Sequence, residues 1–503
     1  MRSKFYITTA IAYPNAPPHV GFAFELFLAD VLARYHRLIG DEVRFLTGTD
    51  EHGAKIAKAA AEQNKTPSEF VDEMSAQFKR LAEKLDISND DFIRTSDRER
   101  HWPAVVKLWN KLRERGDLYK KDYEGFYCVG HEAFMKKSEL KDGLCPLHQT
   151  EPKKIKEENW FFRITKYKDK IKEKIESDEL KIIPEARKNE ILNLIDDAED
   201  VSFSRPSSTL TWGIPVPDEV PVYTHKVSGV GQTMYVWADA LINYISALGF
   251  GLASSIFDKY WPADVHLIGK DILRFHALYW PAMLMSAEIS LPKSIYVHGF
   301  ITVEGEKMSK TIGNVIDPFK LIEKYGAETV RYFLLREIPS GDDGDFSYQN
   351  LETRYTADLA NGLGNLVQRV ATLIENGLGG ELIFRENNLV SREIFRDEKY
   401  HQAIASFRLH DAVNDIWQKI SWANVFVDEH KPWLQAQNDE KEFLRTMTTL
   451  AGAVHHIAWL LEPFLPETSK KIFAMFGDEN KKEIAEHYKF IVKKGEGLFP
   501  RRS

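Results

Sequence analysis

His19 and Gly21 follow a proline-rich break, at the junction between a β-rich segment and a helical segment. Open α/β sheets bind ligands at such junctions, outside the carboxyl ends of their strands. The free N–H groups and the dipole of a helix N-terminus attract phosphate there. A histidine can donate a hydrogen bond to a nucleotide, and a glycine lets the nucleotide approach the backbone. A lone His-x-Gly is also typical of an ordinary turn, so it indicates a nucleotide site only beside a second motif.

A second candidate lies far along the chain, where Lys307, Ser309 and Lys310 belong to a loop bracketed by Gly305 and Gly313. Two lysines three residues apart on a mobile loop can close over a triphosphate. They would stabilise the charge that develops on the departing pyrophosphate. The alternative interpretation of a Lys-x-x-Lys pattern is a solvated surface.

Together the two segments resemble the paired HIGH and KMSKS signatures of class I aminoacyl-tRNA synthetases, in the same order and on the expected elements. The resemblance implies a Rossmann catalytic domain that activates an amino acid as its adenylate, with ATP and Mg²⁺. It implies catalytic roles for His19, Lys307 and Lys310. It also implies that these residues contact ATP together with Gly21 and Ser309.

Phe22 departs from the pattern, because the family usually has histidine at this position. A phenylalanine cannot donate a hydrogen bond to the nucleotide, and losing one such bond in the transition state costs on the order of 10²-fold in rate. Either His19 and the two lysines compensate, or adenylate formation is slower. Since His19 is kept, we expect an active site.

Further segments resemble methionyl-tRNA synthetases in particular, namely residues 10–15, 47–53, 235–240 and 269–280, and the resemblance covers nearly the whole chain. It implies that Asp50 holds the substrate ammonium and that Gly269 and Asp271 contact adenosine and ribose. It also implies a largely apolar and aromatic methionine pocket, made of Ala10, Ile11, Tyr13, Trp237, Ala240, Leu241, Tyr244, Ile272, His276 and Trp280. Such a pocket suits a thioether, which offers no strong hydrogen bond and is recognised by shape and by contact with aromatic rings. The alternative is that these aromatic residues belong only to the core.

Two close pairs of metal-ligand residue types lie in a lysine-rich segment, Cys128 with His131 and Cys145 with His148. Their spacing matches a tetrahedral structural zinc knuckle, and four protein ligands would leave no open position for catalysis. Methionyl-tRNA synthetases resemble this region in having either a cysteine-rich knuckle or a metal-free relic of one. Zinc is therefore expected, with a degenerate loop as the alternative.

The helical last part of the chain carries residues 365–369 and 431–433, which resemble the family's anticodon-binding elements. Asn365 and Arg369 are one helical turn apart and share a face. Their amide and guanidinium groups could contact unstacked base edges, while Trp433 offers a stacking surface. The alternative for an Asn/Arg pair on a helix is a solvated face.

The pattern of elements predicts an α/β protein with a doubly wound, Rossmann-type parallel sheet, a large insertion bearing the knuckle, and an all-α bundle. Strands are expected at residues 4–10, 43–47, 265–268 and 295–297, and a helix at 21–37. One apolar stripe runs from Leu359 to Ile374 and stops at Gly377, and another runs from Leu444 to Leu461. The expected domains are residues 1–115 and 226–300 (catalytic halves), 116–225 (insertion), 301–350 (linking region) and 351–503 (anticodon-binding bundle).

Composition sets the broad class. The 503 residues exceed one ordinary domain, and an apolar fraction of 43% with 12% aromatic residues is typical of folded globular proteins. No apolar run reaches the roughly 18 residues of a membrane span. The net charge of −8 argues only weakly against nucleic acid, because phosphate contacts depend on local basic patches. The two cysteines exclude a disulfide framework, so a cytoplasmic protein is expected.

Competing functions remain open from the residues alone. A synthetase for valine, isoleucine or leucine would share both signatures but normally carries a larger editing insertion, and a cysteine-specific enzyme would use zinc in the catalytic site. A non-catalytic tRNA-binding paralogue would explain Phe22 but not the retained lysines, Asp50 and Trp237. The favoured partners are methionine, ATP and tRNA(Met), with no membrane. No segment after the bundle resembles the extra tRNA-binding domain of some relatives, so a monomer is expected.

Overall fold

The computed structural model describes residues 3–128, 133–135, 137, 140–146, 149–217, 231–253, 255–308, 313–385, 389–391, 393–477 and 487–500. Contacts divide the chain into two compact units. Unit 1 comprises residues 1–18, 42–83 and 88–298, and unit 2 comprises residues 19–41, 84–87 and 299–503. No helix among the described residues is both long enough and apolar enough to cross a membrane.

The strands up to residue 298 are β1 (Lys4–Thr9), β2 (Glu42–Thr49), β3 (Asp91–Arg94), β4 (Leu118–Cys128), β5 (Ala133–Met135), β6 (Lys153–Phe162), β7 (Lys181–Ile183), β8 (Val201–Ser202), β9 (Ser204–Pro206), β10 (Gln232–Met234), β11 (Val265–Gly269) and β12 (Ser294–His298). The α-helices of the same part are α1 (Val20–Leu38), α2 (Ala54–Glu62), α3 (Pro67–Lys84), α4 (Trp102–Glu114), α5 (Lys168–Glu176), α6 (Glu185–Asp196), α7 (Val236–Ala240), α8 (Asn243–Ser246), α9 (Phe257–Tyr260) and α10 (Trp280–Ser286). Short 3₁₀ turns span Ile164–Lys166 and Lys270–Ile272, and a π-helical turn spans Phe275–Tyr279.

The later strands are β13 (Ile301–Val303), β14 (Glu306–Lys307), β15 (Gly344–Phe346), β16 (Glu381–Arg385) and β17 (His487–Ile491). The later α-helices are α11 (Pro318–Tyr325), α12 (Ala327–Glu337), α13 (Tyr348–Arg354), α14 (Asn365–Leu378), α15 (Glu398–Ala405), α16 (Leu409–His430), α17 (Pro432–Asn438), α18 (Glu440–Leu461) and α19 (Pro466–Met475). A π-helical segment spans Tyr355–Gly364, and a 3₁₀ turn spans Glu393–Phe395.

A parallel sheet forms the centre of unit 1. Within the described residues its strand order is β3-β2-β1-β11-β12-β7, and every neighbouring pair is parallel. The strands β11 and β12 are buried along their whole length, as expected where helices cover both faces of a parallel sheet. The predicted Rossmann-type sheet is confirmed, and the four predicted strands correspond to β1, β2, β11 and β12.

The strand order of the sheet indicates where a binding crevice lies. The chain leaves β1 toward β2 on one side, whereas β11 lies on the other side, so the order reverses between β1 and β11. Ligands of doubly wound sheets bind at such a reversal, outside the carboxyl ends of the strands. The segments after β1, β2 and β11 are therefore brought to one edge of the sheet.

The interval 116–225 contains more than the antiparallel sheet β5-β4-β6-β8. It also supplies β7, which pairs in parallel with β12 through Ile182 and Ile295. The sequence patterns did not identify β7, because a three-residue strand between two highly charged helices gives almost no periodicity.

Unit 2 contains the helices of the last part of the chain, and a helical C-terminal region is confirmed. The expectation of helices alone after about residue 350 is wrong, because β16 and β17 form an antiparallel ribbon in register from Glu381–Ile491 to Arg385–His487. Its inward side chains Leu382, Phe384 and Phe490 are buried.

The two apolar stripes also differ in detail from the prediction. The first is divided between the π-helical segment and α14. It continues past Gly377 to Leu378 and ends at Gly379, which has a left-handed φ of 63°. The second corresponds to α18, but Leu444 at its start is 37% exposed rather than buried.

Candidate active site

The first part of the site lies in unit 1, where the backbone segments after β1 and β2 run side by side. The N–H of Ala12 donates to the carbonyl of Gly48 at 2.9 Å, and the N–H of Asp50 donates to the carbonyl of Ala12 at 2.8 Å. Asp50 is 6% exposed, and its neighbour across this pairing is Tyr13, a half-buried residue. The parallel pairing of β1 with β2 therefore holds the carboxylate of Asp50 near the segment 10–13.

Rings from α7, α8, α10 and the π-helical turn meet in the core of unit 1. The Tyr244 ring lies 5.7 Å from the His276 ring and 6.1 Å from the Trp280 ring, centroid to centroid. Trp237 meets His276 edge-on at 6.2 Å. All of these side chains are buried or half-buried, so they form one continuous aromatic wall.

His276 is held as a neutral imidazole. Burial lowers the pKa of His276 to about 4, although its hydrogen bond to the carbonyl of Ile272 opposes this shift. Its Nδ1 lies 3.0 Å from that carbonyl oxygen, and its Nε2 lies 2.7 Å from the Tyr244 hydroxyl. With the proton on Nδ1, the imidazole donates to Ile272 and accepts from Tyr244. The wall is thus polarised without carrying a charge, which suits a neutral thioether.

Phe275 stacks on Trp237, with ring centroids 3.8 Å apart and an interplanar angle of 5°. Phe275 was not among the predicted pocket residues. Its position beside His276 was visible in the sequence, but the π-helical turn that directs both rings to one place was not.

The other predicted pocket residues lie close to the same wall. Ala240 and Leu241 are buried. Ala10, Ile11, Tyr13, Trp237 and Ile272 are half-buried and pack against the core cluster that contains Leu241, Tyr244 and Trp280. The structure therefore gathers the predicted methionine-binding set in unit 1.

Gly269 and Asp271 lie at the carboxyl end of β11. A Cβ atom on Gly269 would be 2.9 Å from a carboxylate oxygen of Asp271, which is closer than real contacts of this kind. The carboxylate therefore lies directly over the glycine, and the missing side chain leaves room for it. A carboxylate at this edge can accept hydrogen bonds from ribose hydroxyls.

The second part of the site lies in unit 2. His19 caps α1, and its Nδ1 accepts a hydrogen bond from the N–H of Gly21 at 3.1 Å. A Cβ atom on Gly21 would lie 3.8 Å from Cε of Met308. The N–H of Val20 donates to the carbonyl of Ile316 at 3.1 Å. The start of α1 is thus hydrogen-bonded to the segment before α11, and a side chain at position 21 would reach the residue that follows β14.

The KMSK loop is only partly described. The backbone of Lys307 ends β14, which pairs with β13. The side chain of Lys307 and the whole of Ser309 and Lys310 lie outside the described residues. Their predicted roles on ATP therefore stay predictions.

A buried polar network that no sequence motif indicated adjoins Asp50. The Nδ1–H of His52 donates to one carboxylate oxygen of Asp239 at 2.7 Å, and the Nε2–H of His101 donates to the other at 3.1 Å. Asp239 lies on α7 two residues after Trp237. Spacing along the chain gave no indication of it, because its members are 49 to 187 residues apart.

Cys128 and Cys145 are buried in one small cluster with Met135. The two cysteines are not joined by a disulfide bond. The predicted partners His131 and His148 lie outside the described residues. In the part of the chain that the structure describes, no group of three or more metal-ligand side chains comes together.

The predicted anticodon residues come together in unit 2. The Arg369 guanidinium lies over the Trp433 ring at 5.8 Å and pairs with Asp428 at 2.8 Å. Asn365 is exposed one turn earlier on α14, and Trp433 is 41% exposed on α17. The three side chains therefore present amide, guanidinium and ring to solvent.

The chain is similar to known proteins over nearly its full length. The family described as tRNA synthetases class I (M) matches residues 5–152 and 135–371, and the family described as anticodon-binding domain of tRNA ligase matches residues 396–494. A methionine–tRNA ligase of Thermotoga maritima is 41% identical over 515 aligned positions, covering 99% of this chain and 80% of the relative. One of Brucella suis is 42% identical and covers 94% of this chain and 91% of the relative.

A solved structure gives the same result. Methionyl-tRNA synthetase of Mycobacterium tuberculosis in complex with methionyl-adenylate matches with a TM-score of 0.91 and 38% identity, over 99% of this chain and 100% of that chain. Fold and site geometry together define a class I aminoacyl-tRNA synthetase, an ATP-dependent ligase. Within that class, the chain belongs to the methionine–tRNA ligase family.

Proposed function

We propose that the chain activates methionine with ATP to methionyl-adenylate and transfers the methionyl group to the 3′ end of tRNA(Met). The observation that carries the proposal is the aromatic wall in unit 1, formed around a neutral His276–Tyr244 pair. The segment 10–13 packs against the same core cluster and accepts a hydrogen bond from the N–H of the buried Asp50. Similarity to a structure that holds methionyl-adenylate supports the same conclusion.

Methionine recognition follows from this arrangement. Asp50 pairs with the substrate ammonium. The rings of Trp237, Tyr244 and Trp280 enclose the thioether, which favours contacts with aromatic rings. Ala10, Ile11, Tyr13, Ala240, Leu241, Ile272 and His276 complete the pocket. Because the wall is uncharged, a lysine-like or acidic side chain would lose its hydration there without gaining a partner.

ATP is bound through its phosphates and its adenosine by different residues. His19 and Gly21 approach the phosphates at the N-terminus of α1, where free N–H groups favour anions. Gly269 and Asp271 hold the adenosine. Lys307, Ser309 and Lys310 contact the triphosphate and stabilise the leaving pyrophosphate. Mg²⁺, bound with ATP, neutralises part of the triphosphate charge.

The tRNA is recognised by Asn365, Arg369 and Trp433. Arg369 can contact a base edge while Trp433 stacks on an unstacked base. The placement of the guanidinium over the exposed ring supports this role, because it limits the freedom that binding would otherwise remove. We further propose that the chain acts as a monomer in the cytoplasm, where tRNA is charged for protein synthesis.

A structural zinc ion is proposed in the insertion, held by Cys128, His131, Cys145 and His148. The burial of both thiols in one cluster supports it, since the residues fit half of a tetrahedral site. Elemental analysis of the purified protein should find about one zinc per chain, and Cys128→Ser should remove it and lower the melting temperature. Protein that lacks zinc but melts normally would indicate a degenerate loop instead.

ATP–pyrophosphate exchange against the full panel of amino acids tests the proposed activity. Exchange that depends on methionine alone is expected. Exchange with another amino acid would assign a different specificity within the class. Complete absence of exchange, with tRNA binding retained, would favour a non-catalytic paralogue. Aminoacylation of tRNA(Met) by the same preparation tests the second step.

A further inference from the structure

We propose that Asp239 is a positioning residue for methionine, because it ties the loop that carries Asp50 to the helix that carries Trp237. Through His52, the ammonium contact and the aromatic pocket would keep one fixed geometry. The inference rests on the proposed function and adds to it a residue that does not itself touch the substrate.

One side of the Asp50 loop is fixed by its neighbour Glu51. The Glu51 carboxylate is fully buried and accepts from Thr49 at 2.7 Å, from Arg94 at 2.7 and 2.9 Å, and from Ser96. Arg94 and Ser96 lie at and after the end of β3. Glu51 therefore anchors the loop to the neighbouring strand.

The opposite side is fixed by His52. Its Nδ1–H donates to Asp239 at 2.7 Å, and both side chains are at most 2% exposed. Since Asp239 belongs to α7 (Val236–Ala240), the same short helix that presents Trp237 is fastened to the loop. Asp50 lies between the two anchors, and its own N–H is bonded to Ala12.

Asp239 carries a charge that makes this contact strong. Burial raises the pKa of Asp239, but the charge of His52 and the hydrogen bonds from His101 and His52 more than offset burial, so the net pKa is lowered. Charge-assisted hydrogen bonds are about twice as strong as neutral ones. The carboxylate is held on both oxygens, which leaves α7 little freedom to rotate.

A catalytic interpretation of the same residues fails. His101 is bonded to Asp239 and, through Nδ1, to Ser246 at 2.8 Å, which matches the connections of a Ser-His-Asp triad. However, His101 and Asp239 are fully buried and Ser246 is 1% exposed. No substrate can reach the serine hydroxyl. The network therefore positions the binding residues and does not catalyse the cleavage of a substrate bond.

Paired variants test the inference. Asp239→Asn keeps the shape but removes the charge. His52→Phe keeps a ring between Trp102 and Trp212 but removes the donor, whereas His52→Asn retains a donor near the place of Nδ1. Asp117→Asn is the matched control. Asp117 is also a buried aspartate of unit 1, and it accepts from Lys166, Tyr167 and Ser286, none of which is a predicted pocket residue.

Methionine affinity should be measured by equilibrium dialysis, the KM values for methionine and ATP by pyrophosphate exchange, and melting temperature by calorimetry. Asp239→Asn and His52→Phe should raise the methionine Kd and KM about tenfold to a hundredfold, as expected for a small misplacement of binding groups. Their KM for ATP should change less than about twofold, since the pocket rather than the phosphate site is disturbed. His52→Asn should stay close to wild type, and Asp117→Asn should lower only the melting temperature.

A cycle with Asp50→Asn gives a second readout. Because Asp239 positions Asp50 as well as Trp237, the loss of methionine affinity in the combined variant should be smaller than the product of the two single losses. Additive losses would overturn the inference, as would variants whose methionine Kd equals that of Asp117→Asn. An unfolded Asp239→Asn would leave the decision to the two His52 variants. Absence of methionine binding by the wild-type chain would overturn the proposed function itself, and this inference with it.

Discussion

Phe22 is buried in the first turn of α1, three residues after the histidine that caps the helix, and is 8% exposed. At this place a donor to the nucleotide would act in the transition state, where one hydrogen bond is worth on the order of 10²-fold in rate. The chain keeps the hydrogen bond from the N–H of Gly21 to His19 without it. The residue that departs from the signature therefore affects chemistry more than architecture.

Phe22→His should raise the kcat of methionine-dependent pyrophosphate exchange by about tenfold, a part of what one added donor can provide. The KM for methionine should not change, because the pocket is formed by residues of unit 1. Phe22→Leu serves as the control, since it changes packing without adding a donor. A kcat for Phe22→His no higher than that of Phe22→Leu, at an unchanged melting temperature, would mean that a donor at this position contributes nothing.

His276 should make the free energy of unfolding depend on pH in the acidic range. Burial lowers its pKa from 6.5 to about 4, so the unfolded chain binds a proton more readily than the folded chain between these values. The stability that His276 contributes is therefore complete above about pH 6.5 and is lost as the pH falls toward 4, by on the order of 3 kcal/mol. Denaturant unfolding from pH 7 to 4 should show a shallower decline for His276→Gln. Parallel curves for the two proteins would contradict the prediction.

At the scale of elements, the sequence predicted long periodic segments well and short or irregular ones poorly. The strands β1, β2, β11 and β12 each contain a short, largely apolar run between turn residues, and their pattern is therefore distinctive. The π-helical segment Tyr355–Gly364 was not predictable, since its apolar residues keep nearly helical spacing. The ribbon β16–β17 was missed because its strands are about a hundred residues apart, and pairing at that distance leaves no local pattern.

Gly377 illustrates how an element ends. The sequence suggested a helix stop, but the residue lies inside α14, and an added Cβ would be 2.5 Å from the Phe443 ring. Gly377→Ala should destabilise the protein by about 1–3 kcal/mol through overpacking. Combining it with Phe443→Leu should recover part of the loss. The comparison is Gly379→Ala. An added Cβ at Gly379 would meet nothing within 4 Å, but the residue has a φ of 63°, so this variant should lower the free energy of unfolding by about 1 kcal/mol.

Thermal unfolding monitored by circular dichroism compares the stability losses of the Gly377→Ala and Gly379→Ala variants. The same loss for both alanine variants, or no recovery with Phe443→Leu, would show that close packing against the ring is not the reason for the glycine.

At the scale of the whole molecule, motif resemblance predicted which residues belong to the site. The contacts that hold those residues in place became visible only in the structure. Asp50, Trp237 and His276 could be proposed from sequence because each belongs to a recognisable segment. Asp239 belongs to the recognisable segment 235–240 as well, but its role could not be proposed, since that role depends on two histidines from other segments of the chain. A network of this kind is set by tertiary packing, and single-sequence patterns contain no information on it.

Binding of tRNA and activation of methionine are expected to depend on different residues. Trp433→Ala should raise the KM for tRNA in aminoacylation roughly 5- to 150-fold, the equivalent of one lost base stack. It should leave methionine-dependent pyrophosphate exchange within about twofold, since that reaction needs no tRNA and Trp433 belongs to none of the groups that hold methionine or ATP. Leu434→Ala is the matched control, because Leu434 is 46% exposed on the same helix but offers no ring. If exchange fell in parallel with aminoacylation, Trp433 would support the fold of unit 2 rather than contact a base.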